Sequence, residues 1–271
     1  MLRIIVCIKE VPRADQLEID PKTGTLRRTG VESDINPPDL NALEMALQLK
    51  EKHGGEIIVV TMGPPFFRKS LEKAIGMGAD RAILLTDRRM AGADTAATAY
   101  TLSEAIKRIG EEFGKYDLIF FGEETTDSST GHVGPGVAGH LGLPQITYVS
   151  SVELKDNKVI AKRVVEDGYE IWESTLPAVI TINFGSNTPR QPTITGLLKA
   201  KRANVILEWN ADYLKLDITK IGLAGSPTIV SKIDNVVLPK RKNIILTGNT
   251  KDSVKQLIDY LIKDGVIELD S

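Results

Sequence analysis

Cysteine is nearly missing from this chain of 271 residues, with Cys7 its single representative. One thiol closes no intrachain disulfide and cannot by itself ligate an iron–sulfur cluster, and its isolation fits a reducing compartment. Histidine is scarce, and His53, His132 and His140 show no metal-ligand spacing. Neither sign of charge prevails, with 34 basic against 36 acidic residues, so no electrostatic footprint points to nucleic acid. No apolar run approaches the roughly 18 residues of a membrane helix, and the N-terminus reads as a strand rather than a signal segment. The phosphate-loop pattern GxxxxGK[ST] is lacking too, which speaks against a P-loop hydrolase. These absences predict a cytoplasmic protein with no direct membrane insertion, long enough for one large domain or one domain with extensions.

What is present alternates. Leu2–Ile8 is a continuous, partly β-branched apolar run, expected to be a central parallel strand buried on both faces. Leu17–Arg28 reads as a surface hairpin about a Pro-Lys-Thr-Gly turn. Asn36-Pro37-Pro38-Asp39 opens a helix that His53-Gly54-Gly55 stops. Glu56–Thr61 is a second strand, and a helix through Leu71, Ala74 and Ile75 follows, ended by Gly76 and Gly78. Ala82–Leu85 is a third strand. Asp94 or Thr95 caps a helix whose Leu102, Ala105, Ile106, Ile109 and Phe113 share one face, and Leu118–Phe121 is the fourth strand. Such alternation predicts an α/β fold, a mostly parallel doubly wound sheet of the Rossmann-like, adenine-nucleotide-binding kind. Ligands of such sheets lie beyond the strand carboxyl ends, so Cys7–Val11, Thr61–Pro64, Thr86–Thr95 and Gly122–Gly131 should meet at one crevice.

After Pro144 the pattern changes. Ile146–Leu154, Val159–Val164, Tyr169–Ser174 and Ala178–Asn183 are short β-like runs, expected to be an antiparallel extension of the sheet. Asn187–Gly196 reads as an exposed loop, and the remainder from Leu197 as a basic segment (Lys199, Lys201, Arg202), irregular chain with Gly222–Pro227, and a final amphipathic helix, Lys251–Lys263. The expected organisation is a nucleotide-binding domain over residues 1–190, followed over 191–271 by a partner-recognition loop and a C-terminal arm.

The stretch Gly122–Gln145 is the expected centre. Small and hydroxylated residues (Thr125, Thr126, Ser128, Ser129, Thr130, Gly131) follow a strand and lead into a helix from Val133 to Leu141. Such a loop lets backbone amides approach an anion, and the helix start adds unpaired N–H groups and the positive end of its dipole. A phosphate or pyrophosphate suits that arrangement, although many α/β loops share the pattern with nothing bound.

Three blocks together resemble the beta (small) subunit of the electron-transferring flavoproteins. They are Ile5–Pro12 with Asn36-Pro37 soon after, Gly122–Gln145, and Ala161–Arg190. The last holds Arg163, Glu166-Asp167-Gly168-Tyr169-Glu170, Leu176–Thr181 and Asn187-Thr188-Pro189-Arg190 in order, with Lys199-Ala200-Lys201 beyond. Asp87–Thr98 and Gly222–Val230 are similar to the electron-bifurcating branch. The resemblance implies a flavin-dependent electron carrier, the oxidoreductase component of a complex with an alpha subunit. In its crevice it implies FAD, or AMP in the ordinary, non-bifurcating members. Similar complexes take electrons from NADH and pass them to ferredoxin or flavodoxin and to a quinone oxidoreductase or an acyl-CoA dehydrogenase-type acceptor. They can therefore join membrane-associated assemblies through their partners.

By that resemblance Cys7 and the Asn36–Asp39 turn line the adenosine, and Met62 abuts the nucleotide at a strand end. Gly122–Val133 wrap ribose and phosphates, with Gly131, His132 and Val133 supplying amides. Asp94, Thr95 and Thr98 reach the additional flavin atoms. Lys9, Val11, Gly63, Glu124, Thr126, Asp127 and Thr130 complete the implied cofactor contacts, and Ile194 falls where relatives anchor an acyl-CoA dehydrogenase. No catalytic acid or base is implied, since the isoalloxazine carries the chemistry.

Plainer readings stand beside these. Cys7 suits apolar filling, Asp94 an ordinary N-cap, Asp127 a clamp on its own loop, and Lys199–Arg202 a solvated charge run. Glu123 and Glu124 stand where many relatives carry a basic residue and Gln. Carboxylates beside phosphates are unfavourable unless turned away or bound to ribose, which leaves Arg88, Arg89 or an alpha-subunit residue to neutralise the phosphates. A non-redox adenine-nucleotide-binding regulator is the alternative from another class.

Overall fold

A strand whose alternate residues enter two different cores sets the architecture. β1 (Arg3–Cys7) sends Ile4 and Val6 to one side and Ile5 and Cys7 to the other. That two-sided burial marks a parallel strand covered by helices on both faces. The protein is described from a computed structural model over residues 1–12, 33–202, 204–230 and 243–267. The hairpin expected at Leu17–Arg28 lies outside the described residues.

β2 (Glu10–Pro12) and β3 (Ser33–Ile35) form a small antiparallel pair before α1 (Pro37–His53), which opens with prolines where no amide partner is needed. The chain then alternates through β4 (Glu56–Met62), α2 (Arg68–Met77), β5 (Arg81–Leu85), α3 (Thr95–Phe113), β6 (Leu118–Gly122) and α4 (Val133–Leu141). β7 (Gln145–Lys155), β8 (Lys158–Val165), β9 (Gly168–Thr175) and β10 (Ala178–Ile182) follow, then α5 (Ile194–Arg202) and β11 (Ile206–Trp209). Among the described residues the main sheet has nine strands in the order β11-β5-β4-β1-β6-β10-β7-β8-β9, antiparallel only across β7-β8-β9. Residues of α1, α2 and α5 fill the core on one face, and those of α3 and α4 fill it on the other. The expected α/β fold with a mostly parallel sheet is the one observed.

Four local expectations need correction. β10 is not part of the antiparallel extension. It lies parallel between β6 and β7, pairing Ala178 with Leu118 and Val179 with Gln145. Its unbroken burial is what a central parallel strand requires. The chain before Gly222 is not all irregular, because β11 joins β5 in parallel and buries Ile206 and Trp209. α5 begins at Ile194, inside the stretch expected to be loop. Gly76 lies within α2 rather than ending it. There it lets α5 and the chain before it approach, since a Cβ would stand 2.8 Å from Pro192 Cβ and 2.9 Å from Leu197 Cδ2.

The chain divides into two compact units, Met1–Ile233 and Asp234–Ser271. In the second, α6 (Thr250–Lys263) is capped by Asn249, whose side chain accepts the Asp252 amide at 3.0 Å. Its apolar stripe of Val254, Leu257 and Ile258 is exposed. Among the described residues no helix is long and apolar enough to cross a membrane.

The glycines of two helices should respond oppositely to a methyl group. Gly76→Val is expected to lower stability by roughly 1–3 kcal/mol through overpacking at α5. Gly139→Ala, with nothing within 4 Å of the added carbon, should raise it by roughly 0.5–1 kcal/mol. Urea midpoints of the two variants check both signs.

Candidate functional site

The strand order reverses between β1 and β6, and there the carboxyl ends of both strands are pinned to the start of α1. Asp39, buried in the first turn of α1, accepts the Lys9 amide at 2.7 Å and the Gly122 amide at 3.0 Å. Gly122 permits this approach, because a Cβ there would stand 2.4 Å from Asp39 Oδ1 and 2.7 Å from Pro38 Cβ. Asn36, also buried, donates to the Glu124 carbonyl at 2.8 Å and accepts the Thr126 amide at 3.1 Å. Lys9 reaches across to Asp127, its ammonium 2.6 and 2.7 Å from the two carboxylate oxygens. The loop after β6 is thereby tied to β1 and α1 at several points.

The electrostatics follow from burial. Burial pushes the Asp39 carboxyl up to about 7, against the lowering pull of its amide donors, of Asn36 and of the Lys9 charge. Burial likewise pushes the Cys7 thiol up, with the Asp39 charge adding to it. Cys7 lies in the core beneath α3 and α4, as apolar filling. Burial works against the Asp127 charge as well, yet the Lys9 ammonium holds that carboxyl below its ordinary value.

Glu123 turns away from the crevice. Its carboxylate accepts Asn183 Nδ2 at 2.5 Å and the Phe184 amide at 3.0 Å, stitching the end of β6 to the end of β10. Of the two carboxylates singled out in the sequence, Glu123 is therefore one that is turned aside. Arg89 is engaged by Asp87 and Asp212, at 2.7 and 2.9 Å from Nη2, and its guanidinium holds the Asp87 carboxyl far below the usual range. The Arg88 side chain is exposed and has no partner among the described residues.

Beyond the clasp, α4 starts at Val133 with no side chain capping it, and Gly131 before it holds φ +63°. The amides of Gly131, His132 and Val133 thus stand at a helix start, a donor set that suits an anion. The N-terminal halves of α3 and α4 touch, since a Cβ on Gly136 would stand 2.9 Å from Ala99 Cβ. Both helices leave the carboxyl ends of parallel strands, so their positive ends share one rim. Asp94 caps α3, accepting the Ala96 and Ala97 amides at 3.0 Å, while its other oxygen accepts the Thr228 amide at 3.0 Å and hydroxyl at 2.8 Å. Thr95 and Thr98 belong to the first turn of α3, and Met62 and Gly63 mark the end of β4. Val11 is buried in β2, and Thr126 and Thr130 are exposed in the loop after β6.

Ile194 stands apart from this crevice, 78% exposed at the start of α5. The chain leading to it is held down. Asn41 and Asn187 exchange hydrogen bonds of 2.8 and 3.0 Å, and Arg190 Nε binds the largely buried Glu44 at 2.8 Å. Among the described residues no cluster of His, Cys, Asp and Glu could hold a metal.

One contributor escapes sequence reading. Glu123 looks like a liability there, because its partners just after β10 lie 60 residues or more downstream.

The fold and this crevice define an open, doubly wound α/β protein of the kind whose ligands sit at the strand-order reversal. The sequence matches the electron transfer flavoprotein domain over residues 23–212, and the chain belongs to that family. It is 48% identical to Protein FixA of Sinorhizobium fredii over 96% of this chain and 92% of that protein. It is 43% identical to electron transfer flavoprotein subunit beta of Thermoanaerobacterium thermosaccharolyticum, over 98% of this chain and all of that one. The CarD subunit of the caffeyl-CoA reductase-Etf complex of Acetobacterium woodii is 43% identical over 84% of this chain and 86% of its own length.

The ionisation of Asp39 should be visible in stability. Its folded-state value lies above the unfolded one, so between about pH 4 and 7 the folded chain binds the extra proton and stability falls as pH rises. Asp39→Asn should remove that slope. Urea midpoints from pH 4 to 8 are expected to fall toward pH 7 and then level for the native chain, relative to the variant.

Proposed function

We infer that this chain is the beta subunit of an electron transfer flavoprotein of the bifurcating kind, holding FAD in the crevice between β1 and β6 and pairing with an alpha subunit. The observation that carries this reading is the clasped crevice itself, with the α3 and α4 starts side by side at its rim. The donor set fits a dinucleotide. Amides of Gly131, His132 and Val133 suit the phosphates, Asn36 and Lys9 fix the loop that wraps them, and Glu123 is turned aside. When bound, the flavin would supply the redox chemistry. The protein's part is to bind, orient and set the local field, with Thr95, Thr98 and the Asp94 cap nearest the second helix start. Cys7, Asp39 and Val11 support this crevice from below, Met62 and Gly63 bound it at β4, and Glu124, Thr126, Asp127 and Thr130 belong to the wrapping loop.

The bifurcating assignment draws support from the two stretches that resemble that branch, Asp87–Thr98 and Gly222–Val230. They are joined through Asp94 and Thr228, and the Leu223 amide donates to the Ala91 carbonyl at 3.1 Å. On this reading electrons come from NADH and leave to ferredoxin or flavodoxin and to a quinone or acyl-CoA dehydrogenase-type acceptor, in the cytoplasm. Residues 191–271 then serve as recognition loop and arm on the alpha subunit, with Ile194 as the anchor for an acceptor enzyme.

Co-purified with its alpha subunit, the chain should yield two FAD per heterodimer by visible absorbance and extraction. One FAD with one AMP would demote it to the ordinary class, and a colourless protein binding ATP would make it a regulator. Ile194→Glu should slow electron delivery to an acyl-CoA dehydrogenase about tenfold or more, the loss of a central interface anchor. Flavin content should stay unchanged, and stopped-flow reduction of the acceptor reads the difference.

A further inference from the structure

β7 breaks its alternation beside the crevice. Ile146 and Val149 enter the same core although three positions separate them, which a regular strand does not allow. The pairing with β10 steps from Ile180 opposite Ile146 to Ile182 opposite Val149, one residue more on β7 than on its partner. In this bulge Tyr148 has φ +56°, a conformation that a bulky side chain rarely holds. Its amide, displaced from the ladder, donates to Thr181 Oγ1 at 3.1 Å. The methyl of that same Thr181 presses on the first turn of α4, where a Cβ on Gly134 would stand 2.7 Å from it.

The bulge carries the phenol to the wrapping loop. The Tyr148 hydroxyl lies 3.5 Å from the place a Cβ on Gly131 would take. The residue is 41% exposed, and its hydroxyl has no hydrogen-bond partner among the described residues. Lys9, which reaches the same loop, is engaged by Asp127, and Arg163, opposite Val149 on the neighbouring strand, is engaged by Glu170. A phenol is a neutral donor that needs no counter-charge.

We propose that Tyr148 is a phosphate-recognising residue of the crevice, its O–H donating to the nucleotide phosphate that rests on the amides of Gly131, His132 and Val133. This rests on the reading of the crevice as a nucleotide site and adds to it the group that selects a phosphorylated ligand over a nucleoside. The strained bulge is the device that turns the ring out of the strand's regular alternation and up to the loop.

The test is equilibrium titration of the full chain, freed of co-purified nucleotide, with AMP, ADP and adenosine. Tyr148→Phe keeps the ring and the bulge and removes only the hydroxyl. It should weaken AMP and ADP roughly tenfold or more, the worth of a hydrogen bond to a charged group, and leave adenosine unchanged. Tyr148→Gly, which removes ring and strain together, should show the same loss for the two phosphorylated ligands with undiminished thermal stability. A Phe variant that binds AMP and ADP as tightly as the native chain does, or that loses as much for adenosine, overturns the assignment. Should the native chain bind none of the three, the nucleotide reading itself fails, and the role of Tyr148 falls with it.

Discussion

Two backbone amides from neighbouring central strands donate to one buried carboxylate, and the rest of the crevice hangs from that junction. Asp39 takes the Lys9 N–H on one oxygen and the Gly122 N–H on the other, so the ends of β1 and β6 are fixed to each other and to α1. Removing the carboxylate would leave two donors to find other partners in a region with little water, and such unpaired groups are costly. Burial meanwhile disfavours the charge that the amides stabilise. The clasp is therefore a balance of desolvation against hydrogen bonding, and it holds because Gly122 brings the strand end within reach.

The outer parts of the site follow from this junction by short steps. Asn36 passes the constraint to the chain at Glu124 and Thr126, and Lys9 passes it to Asp127. Glu123 carries it sideways to β10. The loop before α4 is thus positioned from three strands, although its residues are small and contribute little packing of their own. Asp94 plays a comparable part at α3, joining a helix start to Thr228. Side-chain oxygens on backbone amides do most of this positioning, and such bonds keep their geometry better than ion pairs between long, mobile side chains.

Much of this was legible in the residues. The first four parallel strands declare themselves as buried β-branched runs, and the helices between them by caps and apolar spacing, because each signal lies within a dozen residues. The site loop was legible for the same reason, as small residues between a strand and a helix. What escaped depends on partners far along the chain. β10 looks like one more β-run until its neighbours Leu118 and Gln145 are known. Ile206–Trp209 is too short to assert itself without β5 beside it. Glu123 reads as a misplaced charge until Asn183 and Phe184 are seen to hold it, and Gly76 reads as a helix stop until Leu197 is seen against it.

The position of β10 has a consequence for how the chain is made. β6 leaves the ribosome well before Ala178–Ile182, and β7, β8 and β9 emerge between them. During that interval one edge of β6 has no native neighbour, and its Leu-Ile-Phe-Phe sequence is an apolar template open to other chains. Slowed translation after residue 175 would lengthen that exposure and favour aggregation of nascent chains over their completion.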